Sequence, residues 1–278
     1  MSSQSVLTVK RLTKIFKPDI TAVDNVSFSV NQGELVAILG PSGAGKSTLL
    51  RCLNRLIPRT AGEIRIHGAD ITRCRGRALL KLRSDVGMVF QQFNLVPRLT
   101  VFENVLAGRL SLCSNRLWSI ASVFRIFKEA EKQKAFEALT QVGISHLAAK
   151  RADSLSGGQQ QRVAIARTLA QEPRVVLADE PVASLDPASS HRVMGILKKI
   201  CESKTIPVLI NLHQVDLAQQ YADRIIGIQD GSLVFDGPVD QFTPDIAKTI
   251  YGAEFESAVC SAGTSSPPNT AEKETFAA

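Results

Sequence analysis

The stretch Leu35-Val36-Ala37-Ile38-Leu39-Gly40-Pro41-Ser42-Gly43-Ala44-Gly45-Lys46-Ser47-Thr48-Leu49-Leu50 decides the fold. Five apolar residues in a row, closed by a glycine, read as a strand covered on both faces, as in a parallel sheet. The run that follows fits GxxxxGK[ST] and leads into an apolar helix at Leu49-Leu50, the context a phosphate-binding loop requires. Its glycines let successive backbone N–H groups turn toward phosphate oxygens, and the helix N-terminus adds a partial positive charge. Gly40, Pro41, Ser42, Gly43, Ala44, Gly45, Lys46, Ser47 and Thr48 are therefore candidate nucleotide-binding residues, with Lys46 expected on the β and γ phosphates and Ser47 on Mg²⁺. A plain glycine turn between strand and helix would explain the glycines but not Lys46 and Ser47 at fixed offsets.

Upstream, Leu7 and Val9, then Val26, Phe28 and Val30, alternate as in half-buried antiparallel strands. Downstream, apolar runs return at Val175 to Ala178, Val208 to Leu212 and Ile225 to Ile228, with helical spacers between them, which argues for an α/β core. One spacer helix is expected to take Asp186 as N-cap and Pro187 as its first residue, with Val193, Ile196, Leu197 and Ile200 on its apolar face. Asp230-Gly231 reads as a tight hairpin turn. From about Gln92 to Ser154 strand signals fade. Helical periodicity replaces them, for example Phe127, Ala130, Phe136, Leu139 and Val142, closed by Gly143. Ser257 to Ala278 reads as a disordered tail.

Two further segments carry chemistry. The run Val175-Val176-Leu177-Ala178 ends in Asp179-Glu180, two acids at the strand end where α/β sheets present ligands. Asp179 suits Mg²⁺ held through water, and Glu180 can take a proton from an attacking water. Two solvated loop acids are the plainer reading, made weaker by the phosphate loop nearby in the chain's logic. Ser156-Gly157-Gly158-Gln159, opening a helical pattern through Val163, Ala166 and Leu169, forms a second helix N-terminus suited to an anion. One chain thus has two phosphate-binding ends. They could clasp one nucleotide only by facing each other, within the chain or across a pair of chains, and the residues leave that open.

With 278 residues, 44% of them hydrophobic and 21% charged, the chain has room for one large or two intimately joined globular domains. A disulfide-stapled scaffold and wholesale disorder are excluded. No uncharged apolar stretch approaches the roughly 18 to 20 residues that cross a bilayer, and Met1 to Lys10 lacks the order of a secretory signal. The chain is expected to remain in the cytosol. Cys52, Cys74, Cys113, Cys201 and Cys260 are scattered and odd in number, and read as reduced bystanders. A net charge of +7 suits an anionic partner such as a nucleotide, nucleic acid or lipid surface. The cluster Arg73, Arg75, Arg77, Lys81 and Arg83 reads as a solvated face rather than a nucleic-acid patch.

Taken together, the phosphate loop, the segment Leu155 to Gln159 and the strand end Ala178-Asp179-Glu180-Pro181 stand in the order and spacing of ATP-binding-cassette ATPases. The chain resembles that family over residues 6–252. The resemblance implies an α/β fold: a P-loop NTPase core with an antiparallel β subdomain and an inserted α-helical subdomain over about 92–154. It implies that Leu155 to Gln159 is the signature motif, Gln91 the Q-loop glutamine, Ser184-Leu185-Asp186 the D-loop and His213 the switch histidine. Phe16 stands where an aromatic stacks on adenine, a Phe in place of the commoner Tyr. By this resemblance Glu180, His213 and Gln91 form the catalytic set. Ser47, Gln91 and Asp179 hold Mg²⁺, and ATP lies on Phe16, residues 40–48, Ser156, Gly157, Gly158, Gln159 and Asp186.

Within the family, Leu53 to Ile57, Phe90 to Val96, Asn104 to Leu110 and Asn211-Leu212-His213-Gln214-Val215-Asp216-Leu217-Ala218 resemble the ATP-binding subunit of phosphonate importers. So does the stretch from Leu110 to Phe127, with Trp118. This implies two copies of the chain at the cytoplasmic face of the inner membrane, beneath two membrane-spanning permease subunits and served indirectly by an extracytoplasmic solute-binding protein, with no nucleic-acid partner. Phe93, Leu95, Val96 and Leu99 either line a docking groove for the permease or belong to the core. An importer for phosphite, phosphate or an amino acid remains an alternative, as does a cassette subunit of the carbon-phosphorus lyase machinery.

Overall fold

The computed structural model describes residues 5–112 and 127–252. The tail from Ser257, Trp118 and most of the stretch around it, Cys113 and Cys260 lie outside the described residues. Strands β1 (Ser5–Phe16) and β2 (Ile20–Asn31) pair antiparallel, with Leu7 opposite Val30 and Val9 opposite Phe28. Every second residue from Val26 to Val30 is buried, as the alternation predicts. β3 (Leu35–Leu39) is buried throughout. It leads through the phosphate loop into α1 (Lys46–Leu53). β4 (Ala61–Ile66) and β5 (Ala69–Asp70) complete a sheet of order β2-β1-β4-β5.

The chain continues through α2 (Gly76–Asp85), β6 (Val86–Val89), α3 (Val101–Leu106), a 3-10 turn (Ala107–Leu112), α4 (Glu129–Gln141) and α5 (Gly157–Ala170). It then builds β7 (Val175–Asp179), α6 (Pro187–Lys204), β8 (Val208–Asn211), α7 (Val215–Tyr221), β9 (Arg224–Gln229), β10 (Ser232–Pro238) and α8 (Pro244–Tyr251). The second sheet has the order β10-β9-β3-β8-β7-β6. From β9 to β6 its pairings are parallel, and β10 runs antiparallel to β9. The hairpin joining those two turns at Asp230 (φ 47°) and Gly231 (φ 79°), both left-handed as a two-residue turn of this kind requires.

Alternate residues of the parallel strands serve two different cores. Leu35, Ala37 and Leu39 join Val176, Ala178, Val208 and Ile210 on the face covered by helices α3 to α8. Val36 and Ile38 join Val175, Leu177, Leu209 and Ile226 on the face covered by α1 and the antiparallel sheet. That double coverage is why these strands are unbroken apolar runs: a polar residue on either face would enter a dry core.

Local signals set the helices. Asp186 caps α6 by accepting from Ser189 N (2.9 Å), and Val193, Leu197 and Ile200 are its buried stripe. Gly143 (φ 70°) closes α4. The apolar face of α4 holds Leu139 and Val142 as read, with Phe127 packed against the same core, but Ala130 and Phe136 depart from it. Ala135, Ala138 and Leu139 point inward, whereas Ala130 is exposed and Phe136 is 44% exposed. Ala135 and Ala138 face the core in which α4 and α5 meet.

At the start of α3 a reciprocal cap is complete: Thr100 Oγ1 accepts from Glu103 N (3.1 Å) and Glu103 Oε2 from Thr100 N (2.8 Å). Replacing Thr100 by Ala is expected to lower unfolding stability by about 1 kcal/mol. An unshifted denaturant midpoint would show that the cap contributes nothing.

Among the described residues, Cys52, Cys74 and Cys201 are free thiols. Cys52 and Cys201 are buried, and burial pushes their thiols up to about 11 and about 12. The cluster Arg73, Arg75, Arg77, Lys81 and Arg83 is exposed along its length.

Candidate nucleotide site

The phosphate loop sits between the C-terminal end of β3 and the N-terminus of α1. Its curvature depends on two glycines in tight quarters. A Cβ on Gly40 would lie 2.0 Å from Ile228 O, and one on Gly45 (φ 98°) 2.0 Å from Ala22 O. The Asp230-Gly231 hairpin braces the loop from outside, through Gly231 N donating to Ala44 O (3.1 Å). Lys46 is 4% exposed, and its Nζ donates to Gly40 O (2.6 Å) and Pro41 O (2.9 Å). The ammonium therefore lies over the mouth of the loop whose N–H groups suit phosphate.

One turn into the site, α1, β7 and β8 converge. Ser47 Oγ donates to Asp179 Oδ1 (2.7 Å), and Arg51 Nη2 reaches Asp179 Oδ2 (3.3 Å). Asn211 Nδ2 donates both to Asp179 Oδ1 (2.9 Å) and to Ser47 Oγ (3.1 Å). Asp179 is 4% exposed and is matched by charged and neutral donors, which is what a buried carboxylate needs.

Beside it, Glu180 has a left-handed backbone (φ 50°), uncommon without a glycine. Its N–H donates to Asn211 O (3.2 Å), which ties that conformation to β8. The turn brings Glu180 Oε1 to 2.7 Å from His213 Nε2. Tyr251 Oη in turn donates to His213 O (3.4 Å). Thus the two residues singled out as base and switch, 33 apart in sequence, form a direct pair.

Gln91 is exposed and lies two residues beyond Val89, which pairs with Ala178 immediately before Asp179. The segment that follows is held rather than loose. Arg167 donates to Asn94 O (2.6 Å) and Phe93 O (3.0 Å), and Asn104 exchanges hydrogen bonds with the backbone of Val96. Leu95 packs on the helical core, and Val96 is 50% exposed. Phe16 ends β1, half open to solvent, with Lys14 Nζ 4.6 Å from the ring centroid.

Ser156 is the N-cap of α5 and is reciprocally bonded with Gln159, which accepts from Ser156 N at 3.0 Å. The surroundings of this second anion-suited end differ from those of the phosphate loop. A Cβ on Gly158 would meet Ser189 Oγ at 2.6 Å, and Gly157 faces Leu185 and Phe93. Asp186, which the resemblance places against nucleotide, spends its carboxylate on the cap of α6, and those hydrogen bonds hold its pKa below the usual range.

Asn211, Arg51 and Tyr251 were not among the residues singled out from sequence for this site. Only Asn211 carried a signal: it is an amide ending a wholly apolar strand.

A nucleoside-triphosphate cassette is what this sheet, loop and acid pair define. The sequence profile of the ABC transporter family matches residues 23–183, and the chain belongs to that family. It is 49% identical over 248 residues to the phosphonates import ATP-binding protein PhnC 2 of Oceanobacillus iheyensis, covering 89% of this chain and 96% of that one. To the phosphonates import ATP-binding protein PhnC of Thiobacillus denitrificans it is 50% identical over 250 residues, 90% and 94% of the two chains. Among solved structures, cbiO1 of Clostridium perfringens, part of an ABC transporter complex, is similar with a TM-score of 0.74 at 30% identity over 85% and 90% of the chains. A dimeric ATP-binding cassette in a post-hydrolysis state bound to ADP and Pi has a TM-score of 0.72 at 36% identity, over 85% of this chain and all of that one. No helix among the described residues is long and apolar enough to cross a membrane.

Proposed function

We propose that this chain is the ATP-hydrolysing subunit of an ABC importer that takes up phosphonates, and that it works as a pair bound to the cytoplasmic face of the inner membrane. The observation that carries the hydrolytic part is the Glu180–His213 pair at 2.7 Å, set beside a P-loop with its lysine in place. The solute class is supported by the phosphonate-import relatives, half-identical over nine-tenths of the chain. Residues 6–252 form the cassette, with the helical part over about 92–154.

In this reading the phosphate loop and Lys46 take the β and γ phosphates, and Phe16 takes the adenine. Ser47 and Asp179 are hard oxygen donors that fit Mg²⁺, with Gln91 at the edge. No group of three or more acidic, His or Cys side chains among the described residues makes an all-protein metal cage, which suits a cation arriving with ATP. Bound there, Mg²⁺ supplies charge neutralisation on the phosphate oxygens. Glu180 accepts a proton from water as the water oxygen bonds to the γ-phosphorus and the bond to ADP breaks, releasing ADP and phosphate. His213 orients the Glu180 carboxylate.

The two anion-suited ends have different neighbours within one chain. A second copy completes the site by bringing its Ser156 to Gln159 onto the nucleotide, a reading supported by the resemblance and by the relative that is dimeric and bound to ADP and Pi. Two permease subunits dock against the helical part near Gln91, so the γ-phosphate and the membrane partner meet through one loop. Phosphonate itself is held by an extracytoplasmic binding protein and the permease.

The test is ATPase activity of the chain reconstituted with its permease in lipid. A binding protein loaded with an alkylphosphonate is expected to stimulate turnover, and one loaded with phosphite, phosphate or an amino acid is not. Stimulation by one of those other solutes alone would overturn the phosphonate assignment while leaving the ATPase intact.

A further inference from the structure

We propose that Asn211 is a positioning residue for the cation that accompanies the nucleotide, its side-chain amide holding Ser47 and Asp179 together as one ligand pair. The inference deepens the reading above and rests on its nucleotide and Mg²⁺ assignment.

Asn211 ends β8, paired with Ile38 of β3 on one side and with Asp179 of β7 on the other. It stands between the strand that launches the phosphate loop and the strand that delivers the acids. The residue is fully buried, and the rest of its strand is Val208, Leu209 and Ile210. Its Nδ2 donates to both proposed cation ligands, Ser47 Oγ at 3.1 Å and Asp179 Oδ1 at 2.9 Å. Those two ligands also bond each other at 2.7 Å, closing a triangle.

The other half of the amide shows what this arrangement costs. Asn211 Oδ1 is buried with no hydrogen-bond partner. A leucine would fill much the same space on this apolar strand without that penalty. Turning the amide over would set Oδ1 against the Asp179 carboxylate and leave Nδ2 in the place where no partner lies. What the side chain provides is a donor nitrogen shared between Ser47 and Asp179. The backbone extends the same role: Asn211 O anchors Glu180 N at 3.2 Å, so one residue fixes both the proposed cation ligands and the turn that presents the base.

The test uses the full chain with ATP and Mn²⁺ standing in for Mg²⁺, bound Mn²⁺ being read from the loss of the free-ion EPR signal. Asn211→Leu and Asn211→Ala remove the donors, Asn211→Thr keeps one hydroxyl, and thermal melting establishes that each is folded. Asn211→Leu and Asn211→Ala are expected to bind Mn²⁺ about 10- to 100-fold more weakly in the presence of ATP, with ATP affinity in EDTA within about twofold of wild type. Asn211→Thr is expected to fall between them and wild type. Unchanged Mn²⁺ affinity in a folded donor-free variant overturns the proposal. So does an equal loss of ATP affinity in EDTA, the mark of a merely structural residue. If Asn211→Leu does not fold, Asn211→Ala decides. Failure of the wild-type chain to bind ATP at all would instead sink the nucleotide reading itself, a result the same titration separates from the others.

Discussion

Glu180→Gln is expected to bind ATP as the wild type does and to hydrolyse it about two to four orders of magnitude more slowly, the range that a positioned general base supplies. The amide keeps the shape of the side chain and can still bond His213 across the 2.7 Å contact. Its backbone anchor, Glu180 N to Asn211 O, is untouched. What disappears is the ability to take a proton from water. Steady-state turnover measured alongside nucleotide affinity separates the two effects. Wild-type turnover in this variant would remove Glu180 from the chemistry.

Lys46→Ala acts one step earlier, on binding. Lys46 is almost wholly buried, with its ammonium on the carbonyls of Gly40 and Pro41 at the mouth of the loop. On ATP binding the phosphate oxygens are stronger partners for that charge than neutral carbonyls. A hydrogen bond involving a charged group contributes about 1.5 to 3 kcal/mol, so the loss is expected to weaken ATP binding by about 10- to 100-fold. Calorimetric titration with ATP reads it directly, and an unchanged affinity would contradict the placement of the triphosphate on this loop.

The parts of the fold that could be read from sequence were those where burial leaves one choice of residue. Leu35 to Leu39 must be apolar at every position because alternate side chains enter two separate cores. Asp186-Pro187 and Asp230-Gly231 could be read because capping and left-handed turns restrict chemistry locally. The face of α4 could be read only in part: Leu139 and Val142 are buried as expected, but Ala135 and Ala138 also turn inward while the more apolar Phe136 stays outside. Hydrophobicity alone ranks those last three the wrong way round.

For the site, the motif residues Lys46, Ser47, Asp179, Glu180 and His213 announced themselves, and the structure brings Ser47 to Asp179 and Glu180 to His213. Asn211 did not. Its role depends on β8 lying between β3 and β7, which brings together residues 164 and 32 positions apart. No local pattern encodes that adjacency. Nor could the separate surroundings of the phosphate loop and of Ser156 be read before the fold placed Gly158 against Ser189 and Gly40 against Ile228.

A pair of chains is the proposed working unit, and the mass of the Glu180→Gln protein in solution tests it most directly. The chain weighs 30.1 kDa. Light scattering on the purified variant is expected to show this mass without nucleotide and twice this mass when ATP and Mg²⁺ are added, because ATP that is bound and not hydrolysed holds two copies together. A single-chain mass under both conditions, with ATP binding verified in the same sample, would contradict a site completed by the second copy's Ser156 to Gln159.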